Sequence, residues 1–125
     1  MICFDTNIVV YVANRTLKED IVQEEPIVYA SILKVEALGY HNIRSVEEQR
    51  IRELLATVTE IPLTETIIES AIRLRQQKKM SLGDAIVAAT ALDNDCVLWT
   101  ANTDDFADIE GLKVVNPLVE FGKKS

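Results

Sequence analysis

The chain has 125 residues, enough for one domain that buries its own core, and 48% of them are hydrophobic, as in an ordinary globular protein. Thirteen Lys and Arg against twenty Asp and Glu leave a net charge of −7. This excludes a basic nucleic-acid coat, whose affinity rests on many cationic phosphate contacts, but not an enzyme that reaches nucleic acid through bound metal. A single His and two Cys argue against a His- or Cys-based zinc centre, a disulfide framework and a Ser-His or Cys-His hydrolase. The acid at position 5 argues against a signal peptide, and no apolar run approaches the ~20 residues of a membrane helix. A reduced, cytoplasmic location without a membrane is the expectation.

In chain order, Ile2-Cys3-Phe4 reads as a short buried strand stopped by the capping residues Asp5-Thr6-Asn7, with Cys3 an inert core thiol. Asn7 to Val12 follows as a short helix that Asn14 can end. The stretch from Asn14 to Glu25 is polar and reads as a loop or weak helix. Pro26 to Ala30 is a second strand, after which Ser31 can cap a helix carrying Glu36 toward Gly39. Ser45-Val-Glu-Glu48 is a capping box opening a helix to Ala56. Val58 to Leu63 is a third strand. Thr64 or Thr66 starts a long helix to about Lys79, with Ile67, Ile68, Ala71, Ile72 and Leu74 on one side. Ser81-Leu-Gly-Asp84 opens a helix that is apolar nearly all round and therefore buried. Cys96 to Trp99 and Lys113 to Val115 supply two further strands, and a tail begins at about residue 119. No linker divides residues 1–125. Strands alternating with helices imply a single α/β domain with a mainly parallel central sheet, whose ligands sit outside the carboxyl ends of the strands.

Most of the twenty acids belong to solvated surface, so only those placed against their surroundings are informative. Asp5 ends the first strand, and Asp104 and Asp105 follow the fourth, all at the ligand-binding rim. Asp84 lies in the first turn of the most apolar helix, and Glu36 sits between Val35 and Ala37. Each has an ordinary explanation: Asp5 as a helix cap, Asp84 as the acid of the Ser81 box, Glu36 as a solvated helix residue, Asp104 and Asp105 as a loop turn. Taken together they suggest one cleft. Gathered carboxylates repel unless a cation lies among them, and oxygen-only ligands suit Mg²⁺ or Mn²⁺, the apparatus of phosphodiester hydrolysis.

Four blocks, in this order and spacing, resemble the PIN domain, and most of all the VapC-type toxins of toxin–antitoxin pairs. They are Phe4-Asp5-Thr6-Asn7, Ser31 to Glu36, Ser81 to Thr90, and Leu98 to Phe106. The resemblance implies a parallel sheet flanked by helices and Mg²⁺- or Mn²⁺-dependent cleavage of RNA. It also implies a homodimer held inactive by a cognate antitoxin. It makes Asp5, Glu36 and Asp84 the metal-binding and catalytic acids, supported by Thr6, Asn7 and Thr100. Relatives commonly carry Thr-x-Asp-x-Asp-Phe after the last core strand, whereas this chain has Thr100-Ala-Asn102-Thr-Asp104-Asp105-Phe106, one residue longer. Asp105, directly before Phe106, is taken as the fourth acid, Asn102 as its support and Asp104 as its rival. In this family the polar stretch before Glu25 can contact the antitoxin.

Arg73, Arg75, Lys78 and Lys79 concentrate positive charge in an acidic chain, either to guide RNA phosphates toward Asp84 or as the solvated face of a helix. His41 reads as a helix-end residue, and Trp99 and Phe106 as packing around the last motif. Two other functions were weighed. A receiver-like signalling module also joins an α/β fold to a Mg²⁺ site, but it has paired acids after its first strand and Lys-Pro after its last. Here Asp5 stands alone, and Asn116-Pro117 takes the second place. An inactive PIN scaffold fits poorly with retention of all four acidic blocks.

Overall fold

The computed structural model describes residues 1–17 and 25–120; most of the polar stretch before Glu25 lies outside the described residues. Strand β1 (Ile2–Phe4) leads into α1 (Thr6–Ala13), and β2 (Ile27–Ala30) into α2 (Ile32–Leu38). Helix α3 (Ser45–Leu55), β3 (Thr59–Ile61), α4 (Glu65–Gln77) and α5 (Leu82–Asp93) follow. The chain closes with β4 (Val97–Trp99), a 3-10 turn at Thr103–Phe106, β5 (Val114–Val115) and α6 (Pro117–Glu120). All strand pairings are parallel, in the order β3-β2-β1-β4-β5.

Because successive strand side chains alternate between faces, the sheet carries two cores. Ile2, Phe4, Tyr29 and Trp99 pack with Ile8, Val9 and Val12 of α1, Leu33 and Ala37 of α2, and Ile51 and Leu55 of α3. Phe4 and Trp99 stack with ring centroids 6.0 Å apart. Cys3, Val28, Ala30 and Leu98 face the other way, against Ile67, Ala71 and Leu74 of α4 and the apolar length of α5. Burial on both faces explains why the strands read as continuous apolar runs. Cys3 is fully buried, and desolvation, with Cys96 and Asp5 nearby, pushes its thiol up to about 12, which makes it inert.

Three local expectations are corrected. Ser31 does not cap α2: its backbone is already helical, and its hydroxyl donates to Glu60 Oε2 at 2.6 Å and to the Ile61 carbonyl. The opening of α3 is shifted by one residue. Arg44 occupies the cap position and Glu47 reaches back to its backbone N–H at 3.1 Å, leaving Ser45 as the first helical residue. On α4, the open choice of cap resolves to Thr64, which accepts from the Ile67 N–H at 3.2 Å. Ile67, Ala71 and Leu74, four and three residues apart, share the buried stripe. Ile72 falls off it and is 45% exposed.

Order in the sheet reverses at one place. From β1 the chain steps outward through β2 and β3, then returns to β1's other side for β4 and β5. The crevice outside the carboxyl ends of β1 and β4 is therefore the topological switch point, where open α/β sheets bind ligands. Among the described residues no helix is long and apolar enough to cross a membrane.

Candidate active site

Asp5 leaves β1 at the switch point and is 5% exposed. One carboxylate oxygen caps α1 by accepting from the Thr6 N–H at 2.8 Å. The other accepts from the fully buried Thr100 hydroxyl at 2.8 Å and from Asn7 Nδ2 at 3.4 Å. The cap reading and the site reading of Asp5 thus describe the same residue. Burial raises its pKa above the ordinary carboxylate value; the Thr100 and Thr6 donors pull it down, and Glu36 pushes it up again.

The supporting residues tie neighbouring elements together. Thr6 Oγ1 donates to Glu36 Oε1 at 2.8 Å, joining the start of α1 to α2. Asn7 Oδ1 accepts from the Ala101 N–H at 3.1 Å, and Thr100 Oγ1 accepts from the Asn102 N–H at 3.0 Å. Asn102 contributes main chain rather than side chain: its carbonyl also accepts from the Asp105 N–H, which starts the 3-10 turn.

Asp84 is half-buried in the first turn of α5, where Ser81 caps the helix by accepting from the Asp84 N–H at 3.1 Å. Its pKa is raised first by burial, then by the charges of Asp5, Asp105 and Glu36, while Ser81 lowers it. Asp84 therefore feels the charges of the other three acids of the sequence motifs, and Asp5 that of Glu36. Asp105, in the 3-10 turn after β4, is among the charges that raise Asp84. His41 stands exposed in the turn after α2, Phe106 is buried against α5, and Trp99 lies in the opposite core.

Sequence reasoning missed three contributors. Gly83 lies beneath the Glu36 carboxylate: a Cβ there would collide with Glu36 Oε2, so glycine leaves the carboxylate room where it lies. The signal was a glycine inside the first turn of an otherwise ideal helix. Asn116 donates to the Ala101 carbonyl at 3.4 Å and holds the loop after β4. Glu60, in the middle of edge strand β3, takes the Ser31 hydroxyl and pairs with Lys34 Nζ at 2.7 Å, anchoring the first turn of the helix that carries Glu36. Nothing in the local sequence marks that pairing, since it joins residues on different elements.

The donor set contains only oxygen, which suits a hard divalent ion. Among the described residues no three His, Cys, Asp or Glu side chains form a ready-made ion cage. Mg²⁺ needs none: it is characteristically held by one or two carboxylates, with water and substrate phosphate completing its octahedron. The buried Asp5 and the half-buried Asp84, both raised in pKa and both facing further acids, fit such an ion.

Acids gathered at the switch point of a parallel α/β sheet mark the place where such a fold holds its ligand. The chain belongs to the PIN domain family, whose model matches residues 2–112, and PIN domains are nucleases. This sets aside the receiver-like alternative. A chain of a solved toxin–antitoxin complex from Klebsiella pneumoniae is 35% identical, with a TM-score of 0.75 over 94% of this chain and 98% of that one. A chain of VapBC-1 from nontypeable Haemophilus influenzae is 27% identical, with a TM-score of 0.69 over 93% of this chain and 98% of that one. At 21% identity, a chain of VapBC2 from Rickettsia felis, bound to a DNA fragment from the promoter, shares the fold with a TM-score of 0.79 over 93% of this chain and 98% of that one. No curated protein matches.

Proposed function

We propose that this protein is a Mg²⁺- or Mn²⁺-dependent endoribonuclease, the VapC-type toxin of a toxin–antitoxin pair. It works in the cytoplasm as a homodimer and is restrained by a cognate antitoxin. The observation that carries the reading is the gathering of acids at the mouth of β1 and β4: Asp5 held by Thr100, Glu36 held by Thr6, and Asp84 under the charges of Asp5, Asp105 and Glu36. The 35% identical chain from a toxin–antitoxin complex supports the partner and the biological setting.

In this reading Asp5, Glu36, Asp84 and Asp105 hold the ion, which, when bound, supplies a water nucleophile at neutral pH and neutralises charge on the phosphate and leaving oxygen. Asp5, pinned through both oxygens, is the fixed ligand; a ligand that cannot swing keeps the attacking water and phosphorus in line. Thr6 orients Glu36, and Thr100 and Asn7 keep Asp5 ionised by donating to its charged form. Asn102 and Asn116 set the loop from which Asp105 reaches the site.

The test is cleavage of a fluorescently labelled RNA by purified protein. Cleavage should appear with Mg²⁺ or Mn²⁺, stop with EDTA, and be absent in Asp5→Asn, where an amide replaces an anionic ligand. Wild-type rates in EDTA or in Asp5→Asn refute the mechanism. For the assembly, light scattering should give twice the chain mass. Ile72 and Leu82, 45% and 57% exposed, are among the apolar side chains available to a second copy. Ile67 is not, being buried in its own core.

A further inference from the structure

We infer that the turn joining α4 to α5 is the RNA-binding track of this protein, with Lys78 and Lys79 taking backbone phosphates of the strand presented to Asp84; this rests on the ribonuclease reading above. From Ser70 to Ser81 the chain carries four cations and no acid, in a protein whose net charge is −7. RNA brought to an acidic rim is repelled by it, so binding needs a local positive surface that leads to the site.

The four cations are not equivalent. Arg73 Nη2 donates to Ser70 Oγ at 3.2 Å, and Ser70 in turn donates to Asp93, so Arg73 is held toward the far end of α5. Arg75 Nε donates to the Met80 carbonyl at 3.2 Å and ties the turn to its own helix. Lys78 and Lys79 enter no ion pair among the described residues. Lys78 is the C-cap of α4 and Lys79 follows it, so both also sit at the negative end of the helix dipole. The Lys78 backbone is extended, with φ −147° and ψ 139°, which turns the chain off the helix axis. The groove there measures about 390 Å³ and is lined by Arg75, Gln76, Gln77, Lys78, Lys79 and Met80. Two ammonium groups with two amides beside them match a phosphodiester backbone, the amides reaching sugar or base edges. Lys79 precedes Asp84 by five residues, at most about 18 Å of extended chain, within the reach of a few nucleotides of RNA.

The experiment compares wild type with Lys78→Gln/Lys79→Gln, an exposed double change that leaves Arg73 and Arg75 in place; unchanged circular dichroism and melting confirm its fold. Binding of a labelled 20-nucleotide RNA is followed by anisotropy in EDTA across a salt series, and cleavage with Mg²⁺ is followed separately. The variant should bind RNA about tenfold more weakly, with the slope of log K against log salt reduced by about 1.4, as for two lost single-strand phosphate contacts. KM for the RNA should rise with kcat unchanged, while cleavage of a dinucleotide too short to reach the groove stays the same. Equal affinity and slope in the two proteins overturn the track, even if RNA is cleaved normally, and so does a wild type that binds no RNA at low salt. RNA bound through the lysines but not cleaved leaves the track standing and refutes the ribonuclease. Loss of a protein partner with RNA binding intact assigns the patch to that partner and overturns the inference.

Discussion

Thr100 and Asp5 are 95 residues apart in sequence, yet the Thr100 hydroxyl donates to Asp5 Oδ2 at 2.8 Å in the buried seam between β4 and β1. The same hydroxyl accepts from the Asn102 N–H, so one side chain couples the most buried acid of the site to the loop that presents Asp105. Thr100→Val keeps the shape and removes both bonds. Because the acceptor is a buried carboxylate, the change should destabilise the protein by roughly 1.5–3 kcal/mol at neutral pH, measured by urea unfolding. With one lowering influence gone, the Asp5 pKa rises further, and the acidic limb of the rate profile should move to higher pH. An unchanged profile would separate Thr100 from the chemistry.

Gly83→Ala tests whether Glu36 must lie where it does. Alanine in a helix is favoured over glycine by about 1 kcal/mol, and the atom a new Cβ strikes is the far end of a flexible side chain. The variant should therefore fold at least as stably as wild type. Displacing the Glu36 carboxylate breaks its bond to Thr6, so RNA cleavage should fall by about tenfold or more. A fully active, more stable variant would show that Glu36 is dispensable where it now lies.

Asp84→Asn distinguishes a metal ligand from a first-turn residue of a capped helix. The amide removes repulsion from Asp5, Asp105 and Glu36, so the metal-free variant should melt no lower than wild type while cleavage is lost. Mg²⁺ should raise the wild-type melting temperature, since a hundredfold excess over Kd is worth about 2.7 kcal/mol to the native state. The variant should lose most of that gain. Full activity with an unchanged Mg²⁺ response would leave Asp84 a helix residue only.

Stability of the metal-free protein should depend on pH through Asp5 and Asp84. Both have folded pKa values raised above that of an ordinary Asp, so between the unfolded and folded values the native state binds more protons than the unfolded chain. Their contribution is fully present below the unfolded value and is lost as pH rises through the folded values. Wild type should lose stability relative to Asp84→Asn over this window in EDTA, and Mg²⁺ should narrow the difference at neutral pH. Parallel melting curves for the two proteins at all pH values would remove the electrostatic basis of the site.

Asp104 and Asp105 share one 3-10 turn, and the charge of Asp105 is among those that raise Asp84. Asp105→Asn should therefore weaken cleavage and Mg²⁺ affinity, while Asp104→Asn stays close to wild type in both. The reverse pattern, read from titrations with Mg²⁺, would exchange their roles.

Much of this protein is decided by its sequence alone. The apolar runs at Ile2–Phe4, Ile27–Ala30 and Val97–Trp99, and the capped starts of α1, α4 and α5, are local patterns, and local patterns report local structure. The positions of Asp5, Glu36 and Asp84 within their motifs are equally visible. Where the sequence misled, a contact from elsewhere in the chain outbid a local preference. Ser31 gives its hydroxyl to Glu60 instead of capping α2, and Ile72 turns outward once Ile67, Ala71 and Leu74 have taken the core. Only the tertiary structure decides that the Glu36 carboxylate lies over Gly83 and that Thr100 closes on Asp5. It likewise brings the charge of Asp105 to bear on Asp84. Those relationships depend on the strand order β3-β2-β1-β4-β5, which brings residues about a hundred positions apart to one rim, and no periodicity within a single segment encodes such a distance.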